Sequence, residues 1–181
     1  MRVGVYMGSF DPVHKGHIRI VRHLLKKGYV DQVLIVPTGN YWEKQSLTDV
    51  KKRIRMLKLF ENEKIRIEEE FNELPYTYQL LRAVKKRDPG NEYYVIMGAD
   101  TLLRFEDWNH YREVLEYPFL VLKREGIDAK KKLEELHKEN YVLVEDLKEI
   151  DISSTYIRQN LDDYSKIKNM IHRRVYDIYT E

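Results

Sequence analysis

The sequence predicts an α/β protein with a Rossmann-like, doubly wound and mostly parallel sheet, finished by C-terminal helices. Two observations carry this expectation. Apolar runs of strand length alternate with amphipathic stretches almost throughout. One of the runs, Tyr93–Met97, is nearly all apolar, as a strand covered on both faces must be. The 181 residues can bury a sizeable core, and no break in composition divides them. A single domain over 1–181 is therefore expected.

The elements follow in order. Val3–Tyr6 is strand-like, and Ile18, Val21, Leu24 and Leu25 then take helical spacing, with Gly28 suited to the helix end. Val33–Val36 is a second strand, closed by Pro37. Residues 48–61 read as a helix with Thr48 as its N-cap and Val50, Ile54, Leu57, Leu59 and Phe60 as its apolar face. Ile65–Glu68 is a short strand, and 76–87 is a helix stopped by Asp88-Pro89-Gly90. After the Tyr93–Met97 strand come two short helices, near 101–105 and 108–115. Phe119–Leu122 and Tyr141–Val144 are strands on either side of a charged helix at 129–138. Two helices, near 153–161 and 165–179, complete the chain. The basic runs 51–55 and 130–132 lie in helical stretches and read as solvated faces.

Composition narrows the function. With 32 basic and 30 acidic residues the formal net charge is +2, which speaks against a surface that coats nucleic acid. The chain has no cysteine, so disulfides, thiolate catalysis and cysteine-bound zinc are excluded. No apolar stretch approaches the ~18 residues of a membrane span, and MRVGVYMG opens into a strand with no signal-peptide core. A soluble, cytoplasmic protein is expected.

Three loops should fall at strand carboxyl ends, where doubly wound sheets bind ligands: 7–17, 98–101 and 151–158. The first reads GSFDPVHKGH at its core. Gly8 permits close backbone approach, and Asp11-Pro12 makes a turn before the helix. His14 and His17 are three apart, so a helical start puts both on one face, ~5–6 Å apart at Cβ. With the helix N-terminus they form an anion site with two imidazole donors. In the third loop Ser153 and Ser154 can cap a helix and donate hydroxyls, and Arg158 offers a planar fork to phosphate oxygens. In the second, Asp100 either binds ribose hydroxyls or caps the helix at 101. No P-loop or GxGxxG stretch is present, which speaks against a kinase or a dehydrogenase.

GSFDPVHKGH resembles the (H/T)xGH signature of the nucleotidyltransferase superfamily, in the wider form GxFDPxHxGH of its small adenylyltransferases. ISSTYIR (152–158) is similar to the ISSTxxR element of the same proteins. Between them, YVIMGADTLLRFEDWNHYREVL (94–115) looks like a segment of the nicotinate mononucleotide adenylyltransferases, as do PYTYQLLRAV (75–84) and VPTGN (36–40). The tryptophan segment is usually lacking in phosphopantetheine adenylyltransferases, and the RTxGISTT ending of cytidylyltransferases is absent. The chain departs from the pattern at NYWEKQ (40–45), where the family often has a PPHK-like loop, and at Pro75 and Asn109.

The resemblance implies transfer of AMP from ATP to nicotinate mononucleotide, with pyrophosphate released. It implies an ATP site of Gly8, Ser9, Phe10, His14, His17, Gly98, Asp100, Ser153, Ser154 and Arg158. It implies catalytic roles for His14, His17, Lys44 and Arg158, and a mononucleotide site at Thr77 and Trp108, whose ring would stack on the pyridine or otherwise belong to the core. Trp42 receives no role. Mg²⁺ is expected through the ATP phosphates, with no protein metal ligand. ATP and the mononucleotide are the expected partners, without nucleic acid or membrane; homo-oligomerisation stays open. Nicotinamide mononucleotide or phosphopantetheine as acceptor remains an alternative, as does a nucleotide-binding regulator without turnover.

Overall fold

Six strands pair in the order β3-β2-β1-β4-β5-β6, every neighbouring pair parallel. In the computed structural model, which describes residues 1–38 and 47–181, they are β1 Arg2–Gly8, β2 Gln32–Pro37, β3 Ile65–Ile67, β4 Glu92–Gly98, β5 Phe119–Leu122 and β6 Tyr141–Val144. The chain runs outward from β1 to β3, crosses back to β4 on the other side of β1, and continues to β6. The order thus reverses between β1 and β4, and the two central strands open a crevice at their carboxyl ends.

Alternation of side chains along each strand divides the core in two. Val33 and Ile35 of β2, Ile96 of β4, Leu120 and Leu122 of β5 and Val144 of β6 face one layer. That layer holds α1 (Lys15–Lys26), α2 (Val50–Lys58) and the C-terminal helices α7 (Ser154–Gln159), α8 (Tyr164–Ile167) and α9 (Arg173–Tyr179). Leu34, Val36, Val95, Met97, Phe119 and Val121 face the opposite layer. It is built from α3 (Thr77–Arg87), α4 (Ala99–Leu102), a 3₁₀ turn at Phe105–Asp107, α5 (Tyr111–Val114) and α6 (Ala129–Glu135). Gly4 of β1 leaves room for the Ile96 side chain of the neighbouring β4, since a Cβ there would meet Ile96 Cδ1 at 2.7 Å.

Several expectations need correction. Asp49, not Thr48, caps α2, its carboxylate accepting from Lys51 N at 2.8 Å. Thr48 is engaged elsewhere: its N–H donates to Asp11 Oδ2 at 3.0 Å and its hydroxyl to the Tyr179 hydroxyl at 3.3 Å. The apolar spacing over 165–179 is broken into α8 and α9. The break has a tertiary cause, because the Met170 carbonyl turns out to accept from Lys15 N at 2.8 Å, satisfying an orphan donor in the first turn of α1. Gly28 lies one residue beyond the α1 C-cap Lys27, with φ +72, where its missing Cβ is needed.

The reading of 51–55 as a solvated face fails at Arg53, which is 0 % exposed. Its Nε donates to Thr48 O at 2.9 Å, and its Nη1 to Ser9 O at 2.7 Å and Thr38 O at 2.8 Å. One guanidinium therefore gathers the β1 exit, the β2 exit and the start of α2.

Candidate active site

The two histidines meet at the N-terminus of α1, in a geometry that spacing alone did not give. His14 is not on the helix but is its N-cap, in extended conformation (φ −132, ψ 172). Its Nδ1 accepts from Gly16 N at 3.1 Å and His17 N at 3.3 Å, while Nδ1 of His17 accepts from His14 N at 3.2 Å. The pair is a capping box built from imidazoles. The rings stack, centroids 3.6 Å apart and planes 18° from parallel. Gly16 makes room for the stack, since a Cβ there would sit 2.9 Å from His14 Cε1. Phe10, in the left-handed region at φ 47, brings its ring to 4.8 Å from that of His17.

This geometry fixes the protons. A nitrogen that accepts from a backbone N–H carries a lone pair, so each neutral ring holds its proton on Nε2. Burial pushes the His14 pKa down to about 4. Burial, and then the proximity of His14, hold His17 well below the usual imidazole range. Near neutral pH the site thus offers two uncharged Nε2–H donors.

The second motif is stitched to the first. Ser153 caps α7, its Oγ accepting from Tyr156 N at 3.0 Å. Ser154 donates its hydroxyl to Pro12 O at 2.9 Å, so this proton is spent on the chain. Arg158 Nη1 donates to Asp11 O at 2.7 Å, and Nη2 to Thr155 Oγ1 at 3.3 Å. The fork of Arg158 already ties the α7 helix to the Asp11-Pro12 turn. Arg158→Lys keeps the charge and loses the fork, so the expected result is weaker use of ATP with little change in mononucleotide affinity. Steady-state KM values for the two substrates check this; a loss confined to the mononucleotide would assign Arg158 to the other ligand.

Beside the histidines lies a cavity of ≈ 140 Å³, reaching to the β5 and β6 exits and lined by Tyr6, Ile20, Leu122, Arg124, Ile150 and Ile152 among others. Arg124 makes an ion pair with Asp100 at 3.4 Å and lies 3.9 Å from Glu149. Asp100 is the second residue of α4, whose N-cap is Gly98, so it does not cap a helix at 101. A Cβ on Gly98 would collide with the Asp100 carboxylate and crowd Arg124. Sequence reasoning missed Arg124 and Ile150, and quoted Ile152 at the head of ISSTYIR without giving it a role; the only signal for the first two was their place just after β5 and just before that motif. Gly8 and Ser9 shape the floor of the same loop: Gly8 O accepts from Thr38 N at 2.8 Å, and Ser9 O from Arg53.

Across the sheet, Thr77 is the first residue of α3. The next residue, Tyr78, stacks on His110 with centroids 4.3 Å apart, which joins the start of α3 to the Trp108–His110 segment. Trp108 packs at 5.0 Å from the fully buried Phe105 and is itself half-buried, so one ring serves the core while part of it stays accessible. Lys44 and Trp42 lie outside the described residues.

The cytidylyltransferase-like family model matches residues 5–160. A Clostridium perfringens protein (strain ATCC 13124) described as "Probable nicotinate-nucleotide adenylyltransferase" is 33% identical, over 98% of this chain and 94% of its own. A Clostridium novyi protein of the same description is 32% identical, over 93% and 90%. Among solved structures, Plasmodium falciparum nicotinic acid mononucleotide adenylyltransferase complexed with NaAD superposes with a TM-score of 0.81, covering 99% of this chain and 94% of that one at 22% identity. That likeness speaks for the fold.

Proposed function

The chain belongs to the cytidylyltransferase-like family, among its nicotinate-nucleotide adenylyltransferases, and from that premise we propose the reaction and the role of each site residue. The protein, acting as one nucleotidyltransferase domain over 1–181 in the cytoplasm, moves AMP from ATP to nicotinate mononucleotide. It forms deamido-NAD for NAD biosynthesis and releases pyrophosphate. Among the described residues no helix is long and apolar enough to cross a membrane.

The observation that carries this reading is the stacked His14–His17 pair with both Nδ1 atoms committed to the backbone. A 5′-phosphate oxygen of the mononucleotide attacks the α-phosphorus of ATP. The bond from that phosphorus to the bridging oxygen breaks, and pyrophosphate leaves. The two Nε2–H groups donate to the α-phosphoryl oxygens as charge develops, without giving up a proton. Arg158, Lys44 and the α7 N-terminus with Ser153 hold the departing phosphates. The cavity walled by Leu122, Ile150 and Ile20 takes the adenine, with Asp100 and Gly98 at its ribose edge.

Mg²⁺ would neutralise charge on the triphosphate. It would be held there mainly by phosphate oxygens and water, as Mg²⁺ keeps several of its waters when it binds a nucleotide. On the acceptor side, Thr77 and the first turn of α3 supply donors to the nicotinate carboxylate, and Trp108 stacks on the pyridine.

The test is pyrophosphate release with nicotinate mononucleotide, nicotinamide mononucleotide and phosphopantetheine as acceptors. The expected preference for nicotinate over nicotinamide mononucleotide is about 10²-fold or more in kcat/KM, roughly 3 kcal/mol, because a carboxylate only accepts while an amide also donates. Equal values, or a preference for the amide, would overturn the assignment of the pocket to Thr77. No release with any acceptor would favour a regulator.

A further inference from the structure

The chain is nearly balanced in charge, yet one face of α1 gathers four cations. Elsewhere most exposed arginines are paired, as Arg2 is with Asp31, Arg55 with Glu181, Arg82 with Glu113 and Arg173 with Asp177. Lys15, Arg19, Arg22 and Lys26 form one stripe along α1, at spacings of three and four, and none of them forms an ion pair among the described residues, although Lys15 Nζ donates to the Lys168 carbonyl at 3.3 Å. Lys148, from the segment after β6, is likewise unpaired and faces the same groove.

The groove between them has a volume of ≈ 680 Å³ and an apolar floor of Ile18 and Leu147. Among the described residues its one carboxylate is Asp146, and that is already held: Oδ1 lies 2.9 Å from His23 Nε2 and accepts from the Tyr29 hydroxyl at 2.7 Å. The crowding of like charge is felt by His172 at the edge. Its imidazole is held below its usual range, by burial first and then by Lys15 and Arg22.

The stripe from Lys15 to Lys26 spans about 16 Å at the helical rise, longer than a single phosphate can use. The groove is separate from the cavity at the histidines, with Leu147 and Lys148 forming a wall that both share. We propose that the outer groove of α1 is a second anion site, which takes a small ligand carrying a chain of phosphates. Such a ligand would lay its phosphates along Lys15, Arg19, Arg22 and Lys26 and rest its remaining part on Ile18 and Leu147.

Inorganic tripolyphosphate is the probe. Calorimetric titration of the whole protein at low ionic strength should find two equivalents, one at the histidines and one in the groove. Arg19→Glu combined with Arg22→Glu, both at exposed positions, should remove one equivalent or weaken it by about 10-fold or more. The same pair of variants should leave turnover of the saturated enzyme unchanged. Lys130→Glu with Lys131→Glu makes an equal charge change on the exposed side of α6 and should keep both equivalents. A single equivalent in the unaltered protein would overturn the proposal. So would loss of one equivalent in the α6 control, which would reduce the effect to net charge. If the α1 variants keep all equivalents but lower kcat/KM for ATP in a salt-dependent way, the stripe only steers substrate and the second site does not exist.

Discussion

Replacing His17 with alanine is expected to lower turnover by about 10²-fold or more while the chain stays folded, the scale of losing one donor to a transition-state charge. His14→Ala should match it in turnover but lose more stability. His14 accepts from two backbone N–H groups at the start of α1 and His17 from one, so the cap contributes about 1 kcal/mol more at position 14. The double variant should be little slower than either single one, because stacked rings that present neighbouring donors act as a unit.

The pH dependence follows from the same geometry. The folded pKa of His14 is depressed to about 4 from the unfolded 6.5. The unfolded chain therefore binds the proton first as pH falls, and the stability held by the neutral cap is complete above about 6.5 and drains away down to about 4. Chemical denaturation between pH 4 and 8 measures this, and the slope should fall in His14→Ala combined with His17→Ala, leaving the part contributed by His172, whose imidazole is also held low, and by the paired carboxylates. Near-normal turnover in both single variants, with folding verified by circular dichroism, would remove the histidines from the mechanism.

The second large effect is expected at Arg53. Arg53→Met keeps much of the aliphatic volume and deletes the fork, leaving the Ser9, Thr38 and Thr48 carbonyls without that partner. A buried carbonyl stripped of its donor costs about 1–3 kcal/mol, so a loss of about 3 kcal/mol or more in unfolding free energy is expected. Because Ser9 belongs to the loop that precedes the histidine cap, KM for ATP should rise as well. Arg53→Lys should recover only part of both losses, since an ammonium cannot reproduce the planar spread of donors. Urea melts read the first quantity and initial rates the second. A Met variant within about 0.5 kcal/mol of the parent would show that the clamp holds nothing together.

The sheet was legible because each strand buried on both faces leaves an unbroken apolar run, as FLVL at 119–122 does, and the bounds of β5 and β6 match the residues read from the sequence. What escaped depends on partners distant in the chain. A run such as KKRIR gives no sign that its third residue is enclosed by carbonyls from Ser9 and Thr38. The apolar spacing near 170 gives no sign that the Met170 carbonyl is claimed by Lys15. The site was half legible. Two histidines at spacing three mark a helix start, but the same spacing fits either a shared helical face or a reciprocal cap, and only the backbone chooses between them. Arg124 had no motif to announce it; its importance comes from the neighbours Asp100 and Glu149 that the fold brings to it.

The division of the core by the sheet bears on how such a chain could change its trade. The residues proposed to grip the phosphates of the adenylyl donor, His14, His17, Ser153 and Arg158, rest on the α1 and α7 side, while Asp100 in α4 and the proposed acceptor residues Thr77 and Trp108 rest on the α3 to α5 side, with the sheet between them. A mutation that repacks Leu81 under α3 is expected to be felt at Thr77 and hardly at the histidines. Lineages descending from this architecture can therefore try new recipients for the same activated nucleotide one layer at a time, with the costly half of the chemistry left in place.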